Sequence, residues 1–299
     1  MAGEQCRESG GNGDNDYLRA FSARAAVPLA RYFTGRIASW EVWNEPNAWT
    51  GSDGAGRYWG GTFIYPSNFA WLLRRVYEDT RLAGIAGLQL VSGGLLGHDI
   101  GGVAGTVRTG SGWRAIVKQG AFAETVAPAG EGARPGTPAA KPGKPGGVAG
   151  ESGDDYLRAT YDQGRRFAGW NDMKTRYGSY PLDGIGQHLY IDQGGATSGA
   201  KIKAYLDELR KVYAAVEGRR TAKQTHLTEF GWQTSAVGED AQASNLRVAY
   251  GAFHDTAYVA RAYWFFIQDI PEAALFFGLL RQDGSRKPAF TAYQGAAAY

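Results

Sequence analysis

The feature that most constrains the fold of this chain is an alternation of helix-like segments with short β-rich runs, which begins at residue 17. In the longer segments apolar residues recur every three to four positions, a spacing typical of amphipathic helices. The short runs are rich in valine, isoleucine and aromatic residues, as β-strands are. Strands that alternate with such helices pair in parallel, so the pattern predicts an α/β fold with a parallel sheet.

Five strands and five long helices are predicted. The strands are IASWEVW (37–43), LQLVSGGLL (88–96), LDGIGQHLYID (182–192), THLTEFGW (225–232) and RAYWFFIQDI (261–270). The helices are 16–36, with an interruption near Pro28, and 65–84, 155–178, 201–218 and 242–260. Ser67 is the expected N-cap of the second helix, and Gly84 is its expected end.

A Gly/Pro-rich segment interrupts the alternation at residues 101–153. Its part APAGEGARPGTPAAKPGKPGG is about half glycine and proline. Such a composition buries too little apolar surface to offset the entropy that is lost when the chain is ordered. We predict a flexible insertion within one domain, 1–299, because the alternation resumes unchanged afterwards. A linker between two domains is the alternative.

The composition excludes several classes of function. The 32 basic and 29 acidic residues nearly balance, and no basic run with interleaved aromatic residues occurs, so no nucleic-acid partner is expected. No apolar stretch reaches the ~18 residues of a membrane span, and the first residues carry no apolar signal-peptide core, so no membrane partner is expected and the localisation stays open. The lone Cys6 excludes an internal disulfide. No phosphate-binding loop or dinucleotide fingerprint occurs, so no cofactor is expected.

Polar residues close each predicted strand: NEPN at 44–47, GHD at 97–99, QHLYID at 187–192, TEFGW at 228–232 and QD at 268–269. In parallel α/β sheets ligands bind at the carboxyl ends of the strands, so these residues are expected to converge on one site. Glu45 and Glu229 each follow a strand there. Hydrolysis of a glycosidic bond needs one carboxylic acid to protonate the leaving oxygen and a second carboxylate to attack the sugar or activate water, and this pair could supply both.

His98 and Asp99 also follow a strand and could line the same pocket. A third ligand at a suitable spacing is not evident, so no metal is expected. The chain also contains nine Trp and seventeen Tyr. Aromatic faces often hold sugars, although a large core uses such rings as well, and composition alone leaves the two interpretations open.

The ordered motifs VWNEPN, HLY and LTEFGW, each closing a strand, resemble those of glycoside hydrolase clan A. This clan of retaining enzymes includes families 5 and 39, cellulases among them. The resemblance covers about residues 18–100 and 154–299. It implies a TIM (β/α)8-barrel fold and hydrolysis of the O-glycosidic bonds of a β-linked oligo- or polysaccharide by double displacement.

The resemblance also implies roles for individual residues. Glu45 matches the acid/base and Glu229 the nucleophile of the clan. Asn44 matches the residue that hydrogen-bonds the sugar 2-hydroxyl, and His188 and Tyr190 match a pair that contacts the substrate and orients the nucleophile. Tryptophans near Glu45 are expected to raise its pKa toward ~6, and a hydrogen bond from Tyr190 is expected to keep Glu229 ionised near ~4.

Three tryptophans are further candidates for stacking on a sugar: Trp49, Trp232 and Trp264. Trp264 resembles the sugar-stacking tryptophan of the clan, yet it precedes the polar end of its strand by four residues and could belong to the core.

The strand count departs from the clan pattern. The acid/base strand should be the fourth, yet only about 37 residues precede it, whereas three β/α units need roughly 90 or more. We therefore expect an incomplete barrel that contains the equivalents of strands 4–8, with unpaired edges at 37–43 and 262–268 that promote self-association. The alternative to an active enzyme is an inactive fragment or a carbohydrate-binding remnant.

Overall fold

The computed structural model describes residues 14–49, 51–52, 58–59, 62–85, 87–96, 115–117 and 149–296. Three sequence features lie outside the described residues: Cys6, the pair His98 and Asp99, and most of the predicted insertion, 101–114 and 118–148. The side chain of Trp49 also lies outside the description. Within the described part of the chain, no helix is both long and apolar enough to cross a membrane.

Six parallel strands form the central sheet. In chain order they are β1 (Ser39–Val42), β2 (Gln89–Ser92), β3 (Leu95–Leu96), β4 (Gly184–Leu189), β5 (Gln224–Phe230) and β6 (Val259–Trp264). The spatial order is β1-β2-β4-β5-β6, and β3, which continues the course of β2, also pairs with β4. All five predicted strands and their parallel pairing are thereby confirmed. Among the described residues, β1 and β6 form the two edges of the sheet.

The α-helices are α1 (Asp16–Phe21), α2 (Val27–Tyr32), α3 (Pro66–Leu82), α4 (Gly153–Arg166), α5 (Trp170–Tyr177), α6 (Gly199–Glu217), α7 (Thr234–Val237), α8 (Glu239–His254) and α9 (Pro288–Ala296). A π-helical turn, Ser22–Ala26, joins α1 to α2, and a 3-10 turn covers Pro271–Ala273. Short antiparallel strands pair Ala48–Trp49 with Ala149–Glu151, Ala149–Glu151 with Ala115–Val117, and Gly51–Ser52 with Tyr58–Trp59.

Local chemistry explains where the helices begin and break. The π turn lies just before Pro28, which has no N–H to donate to the preceding turn, so the predicted interruption is found. The prediction of Ser67 as an N-cap was wrong, because Tyr65 is the N-cap and the helix begins at Pro66, a residue suited to the first helical position. The predicted helix 155–178 is two helices, which Gly169 separates in a left-handed conformation (φ 64°).

The hydrophobic core lies between the sheet and the helices. One cluster joins β1, β2 and β4 to α1 and α3–α6 around the fully buried Trp170 and Tyr161. A second cluster joins β4 and β5 to α6 and α8 around Phe230 and Trp232. Each fully buried side chain of this size contributes about 1.5–3 kcal/mol. Since the apolar strand residues face the helices, the alternate, polar residues face the other side of the sheet, where the site described below lies.

Candidate active site

The backbone at the carboxyl ends of the strands is strained. Five residues other than glycine have positive φ in the described chain. Four of them follow a strand end within three residues, namely Trp43, Glu45, Asp192 and Phe266, and the fifth, Ala274, closes the 3-10 turn. Such conformations cost on the order of 1–3 kcal/mol each and concentrate at functional sites. Around Glu45 the neighbouring chain holds the conformation, since Thr62 Oγ1 donates to the Glu45 carbonyl (2.9 Å) and the indole N–H of Trp43 donates to the Thr62 carbonyl (2.6 Å).

The structure brings Glu45, Glu229 and His188 together. Nδ1 of His188 lies 3.0 Å from Oε1 of Glu45 and 3.5 Å from Oε2 of Glu229. One nitrogen of His188 and one oxygen of each carboxylate all lie within 4.8 Å of one another. The Glu45 and Glu229 side chains are 14% and 24% exposed, so both carboxylates lie at a partly open face.

A β-bulge in β5 allows the sheet to present two polar residues side by side. Leu227 pairs with Gln187 and Glu229 with His188, so Thr228 is the extra residue on β5. A bulge of this kind re-aims side chains that strict alternation would place on opposite faces. Thr228 Oγ1 and the carboxylate of Glu229 therefore both reach the site.

Tyr190 orients Glu229. Its hydroxyl donates to Oε2 of Glu229 over 2.7 Å, which is the contact expected from the sequence. The ring is fully buried and packs edge-on against Phe265 and Phe277. Burial and the charge of Glu229 raise the pKa of Tyr190 well above 10, so the phenol keeps its proton and acts as a donor.

His188 occupies the centre of the site and is fully buried. Its ring packs on the backbone of Gly94, where a Cβ would lie only 2.1 Å from Nε2. Burial alone lowers the pKa of His188, but the hydrogen bond with Glu45 and the charges of Glu229, Glu45 and Glu41 raise it above the ordinary value of 6.5 overall. The carboxylates around the imidazole therefore favour its charged form.

Glu41 is a third carboxylate of the site, which sequence reasoning missed. It lies in β1 and faces away from the neighbouring core residue Val42. Its Oε1 accepts hydrogen bonds from the N–H of Gly94 and from Thr228 Oγ1 (2.9 Å), and lies 4.0 Å from Nε2 of His188. Burial raises the pKa of Glu41 above its ordinary value of 4.5. The alternation within SWEVW was the available signal, because it places a carboxylate on the inner face.

We call Glu41, Glu45, Glu229 and His188 the acidic cluster. It contains three carboxylates and one imidazole. The ligand-type atoms of Glu45, His188 and Glu229 are close enough to contact one cation. The hydrogen bond between Nδ1 and Glu45 already uses the histidine nitrogen that faces both carboxylates, so the arrangement is explained without a metal.

The remaining predicted site residues are Asn44, Trp232 and Trp264, besides Trp49, whose side chain lies outside the description. Asn44 is exposed beside Glu45. Trp232 is fully buried and donates to the Ile191 carbonyl (2.8 Å), so it belongs to the core and presents no face to a sugar. Trp264 is partly buried, packs edge-on against Phe230 and donates its indole N–H to the Phe277 carbonyl (2.8 Å), so these contacts place it against the core.

Of the three tryptophans that lie near Glu45 in the sequence, Trp40 and Trp43 pack on the helix side, and the side chain of Trp49 lies outside the description. Trp40 lies against Phe33 and Trp43 against Phe21, at ring-centre distances of 6.0 and 6.1 Å. Both belong to the cluster that joins β1 to the first helices, where they stabilise the fold.

Comparison with known proteins gives a likeness at the level of the fold. No family model matches the chain, and no curated protein matches it. Among solved structures, a GH128 (subgroup II) endo-β-1,3-glucanase from Sorangium cellulosum is 18% identical with a TM-score of 0.52, over 92% of this chain and 75% of that one. GH5_18 from Streptomyces cattleya, solved with GlcNAc, is 17% identical with a TM-score of 0.50, over 95% of this chain and 54% of that one.

These likenesses confirm the parallel α/β fold of TIM-barrel type that the sequence motifs predicted, whereas the incompleteness of the barrel stays a prediction. The chain has the parallel α/β architecture of TIM-barrel glycoside hydrolases of clan A type. At a sequence identity below 20% these likenesses show the fold alone, and the chemistry of the site depends on its own residues.

Proposed function

We propose that this chain is a retaining glycoside hydrolase that cleaves the O-glycosidic bonds of a β-linked glycan by double displacement. The observation that carries the proposal is the proximity of the Glu45 and Glu229 carboxylates, whose nearest ligand-type oxygens lie within 4.8 Å at the carboxyl ends of parallel strands. Retaining enzymes hold their two carboxyl groups about 5–5.5 Å apart, whereas inverting enzymes need about 6.5–9.5 Å to admit a water. The short distance favours retention.

The two carboxylates differ in their surroundings, and this supports different roles. Glu229 accepts a hydrogen bond from Tyr190, which holds an ionised oxygen in place for attack. Glu45 lies on a strained turn, where Nδ1 of His188 contacts it. We therefore assign the nucleophile to Glu229 and the acid/base to Glu45.

The reaction then has two balanced steps. In the first, an oxygen of Glu229 bonds to the anomeric carbon while the bond to the leaving oxygen breaks and Glu45 gives that oxygen its proton. In the second, Glu45 takes a proton from water, the water oxygen bonds to the anomeric carbon, and the Glu229 oxygen leaves. Each step inverts the anomeric carbon, so the product retains the configuration of the substrate.

The substrates to test first follow from one of the similar solved structures and from the chemistry of the site. One structural neighbour is named as an endo-β-1,3-glucanase, so β-1,3-glucan oligosaccharides are the first substrates to test. Aryl β-glycosides are the second choice, because their good leaving groups make even slow attack by Glu229 measurable. β-1,4-linked oligosaccharides complete the set.

The test compares the purified chain with Glu229→Ala, Glu45→Gln and the control Asp255→Asn. Asp255 is an exposed carboxylate that precedes β6, at the opposite end of the sheet. We expect hydrolysis with the β-anomer as the first product by NMR, a loss of kcat of about 10⁴-fold or more in Glu229→Ala, and unchanged rates in Asp255→Asn. Glu45→Gln should lose less activity on aryl glycosides than on oligosaccharides, because a good leaving group needs little protonation.

Two results would contradict the proposal. An α-anomer as the first product would assign an inverting reaction. Calorimetric binding of oligosaccharides without any turnover would identify the chain as a carbohydrate-binding remnant.

A further inference from the structure

The two ring nitrogens of His188 face different carboxylates. Nδ1 faces the proposed catalytic pair, Glu45 and Glu229, at 3.0 and 3.5 Å. Nε2 is buried and has no hydrogen-bond partner among the described residues. Oε1 of Glu41 lies 4.0 Å from it, too far for a hydrogen bond but close enough for a strong interaction between charges.

Both partners of this second contact are held in place. The N–H of Gly94 and the hydroxyl of Thr228 donate to the same oxygen of Glu41. The absence of a side chain at Gly94 lets the imidazole lie directly on the backbone, since a Cβ there would overlap the ring. The geometry between Glu41 and Nε2 is therefore set by residues of four parts of the sheet: β1, the β2–β3 segment, β4 and β5.

We infer that Glu41 is a positioning residue that keeps a proton on Nε2 of His188, so that Nδ1 is the nitrogen that serves the two catalytic carboxylates. The inference rests on the proposed function, in which Glu45 gives and takes one proton per cycle. An anion beside Nε2 favours a proton at that nitrogen. Nδ1 then accepts the hydrogen of a protonated Glu45, and donates its own hydrogen to an ionised Glu45 when the imidazole is charged.

The groups that face His188 come from three strands, and they agree with this assignment when Glu45 carries the proton that it gives to the leaving oxygen, because its hydrogen then occupies Nδ1. They are Glu41 and Glu45, in and just after β1, Glu229 in β5, and Tyr190, which follows β4 and donates to Glu229. If the proton were on Nδ1 alone, Nε2 would present a lone pair to the charge of Glu41. The three carboxylates also raise the pKa of His188 against the effect of burial.

The test is an NMR titration of the imidazole nitrogens in the full chain, with His188→Gln used to assign the signals. In the wild-type chain we expect the neutral ring to carry its proton on Nε2. In Glu41→Gln we expect the pKa of His188 to fall by about one pH unit and the share of the Nδ1–H tautomer to rise. The control Asp255→Asn should match the wild type. An unchanged pKa and tautomer in Glu41→Gln would overturn the inference.

Thr228→Val keeps the test decisive if Glu41→Gln does not fold. It removes one of the two donors that stabilise the ionised carboxylate of Glu41, so Glu41 is protonated more easily and carries less charge beside His188. The pKa of His188 should therefore fall, by a smaller amount than in Glu41→Gln, and no change would overturn the inference. The NMR readout needs no turnover. An inactive wild-type chain would therefore refute the proposed function and leave this measurement valid.

Kinetics separate positioning from sugar binding. With an active wild-type chain, Glu41→Gln should lower kcat about tenfold, keep KM within about twofold, and move the basic limb of the pH profile to lower pH. A raised KM with an unchanged kcat would make Glu41 a substrate-binding residue and overturn the positioning role.

Discussion

Two groups of charged side chains at opposite ends of the sheet are built differently. At the amino-terminal end of β5, Lys223 pairs with Glu217, and the Tyr161 hydroxyl donates to the same carboxylate (2.8 Å). Both charged side chains there are nearly buried, at 7% and 6% exposure. At the carboxyl end, the acidic cluster gathers three carboxylates around one imidazole, and its carboxylates are 14–29% exposed.

This difference indicates that the amino-terminal end of the sheet contributes stability, whereas the carboxyl end carries the chemistry. Lys223 and Glu217, which we call the closed pair, carry opposite charges and leave no net charge in the protein interior, even though burial lowers the pKa of Lys223. An excess of like charge, by contrast, costs stability and shifts pKa values, which is what an acid/base site requires. Removal of one charge should therefore cost much more stability at the Lys223–Glu217 pair than at the acidic cluster.

The largest effect is expected at the closed pair. Lys223→Met leaves Glu217 as an unpaired, buried carboxylate, so the free energy of unfolding should fall by about 3–5 kcal/mol in urea denaturation at pH 7. The double variant Lys223→Met with Glu217→Gln should recover most of this loss, because the glutamine can still accept the hydrogen bond from Tyr161.

The matched change at the other end is Glu41→Gln, which removes one of three like charges. Its free energy of unfolding should stay within about 1 kcal/mol of the wild type. An equal loss at both ends would contradict this prediction, since it would show that the acidic cluster contributes as much stability as the closed pair.

A single methyl group at Gly94 should disturb both the packing and the chemistry of the acidic cluster. In Gly94→Ala the new Cβ would lie 2.1 Å from the His188 ring and 2.6 Å from Thr228 Oγ1, and the buried ring has little room to move. We expect a loss of about 1–3 kcal/mol in stability and of most hydrolysis. The control is Gly251→Ala in α8, where nothing lies within 4 Å, and it should be neutral or stabilising by up to about 1 kcal/mol. Normal activity in Gly94→Ala would show that the position of His188 is not critical.

The sequence predicted the sheet and the pair of carboxylates because both depend on strand ends. Parallel strands converge at their carboxyl ends, so a Glu that follows a strand can be placed without knowledge of the packing. This reasoning brought Glu45, Glu229, His188 and Tyr190 together. It missed Glu41 because that residue lies inside a strand, where only the alternation of faces tells an inward carboxylate from an outward one.

The tryptophans show what the sequence could not decide. Trp232 and Trp264 lie near strand ends, as a sugar-binding residue would, yet both pack toward the helices. Which face a side chain takes near a bulge depends on the register of the neighbouring strand, and a shift in register is found between β5 and β6 before Trp264. That register is a property of the folded sheet.

A smaller effect is expected at Tyr190. Tyr190→Phe removes the 2.7 Å hydrogen bond to Glu229 and keeps the ring that packs against Phe265 and Phe277. We expect kcat to fall about 10- to 100-fold with little change in KM, and stability to change by only about 1 kcal/mol. Tyr213→Phe, which removes a hydroxyl that contacts Thr225 in the helix-side core, is the matched control and should leave kcat unchanged. Equal kcat values for the two variants would deny Tyr190 an orienting role.

The smallest effect is a dependence of stability on pH that the acidic cluster imposes. The pKa of His188 is raised above 6.5 and that of Glu41 above 4.5, so both groups hold a proton more tightly in the folded state. Such groups contribute fully below their unfolded pKa and lose that contribution as the pH rises through the folded pKa. The free energy of unfolding should thus decline between pH 5 and 8, by an amount on the order of 1 kcal/mol. Glu41→Gln should flatten the decline and Asp255→Asn should preserve it. A stability that rises over this range would show that the closed pair and other carboxylates outweigh the acidic cluster.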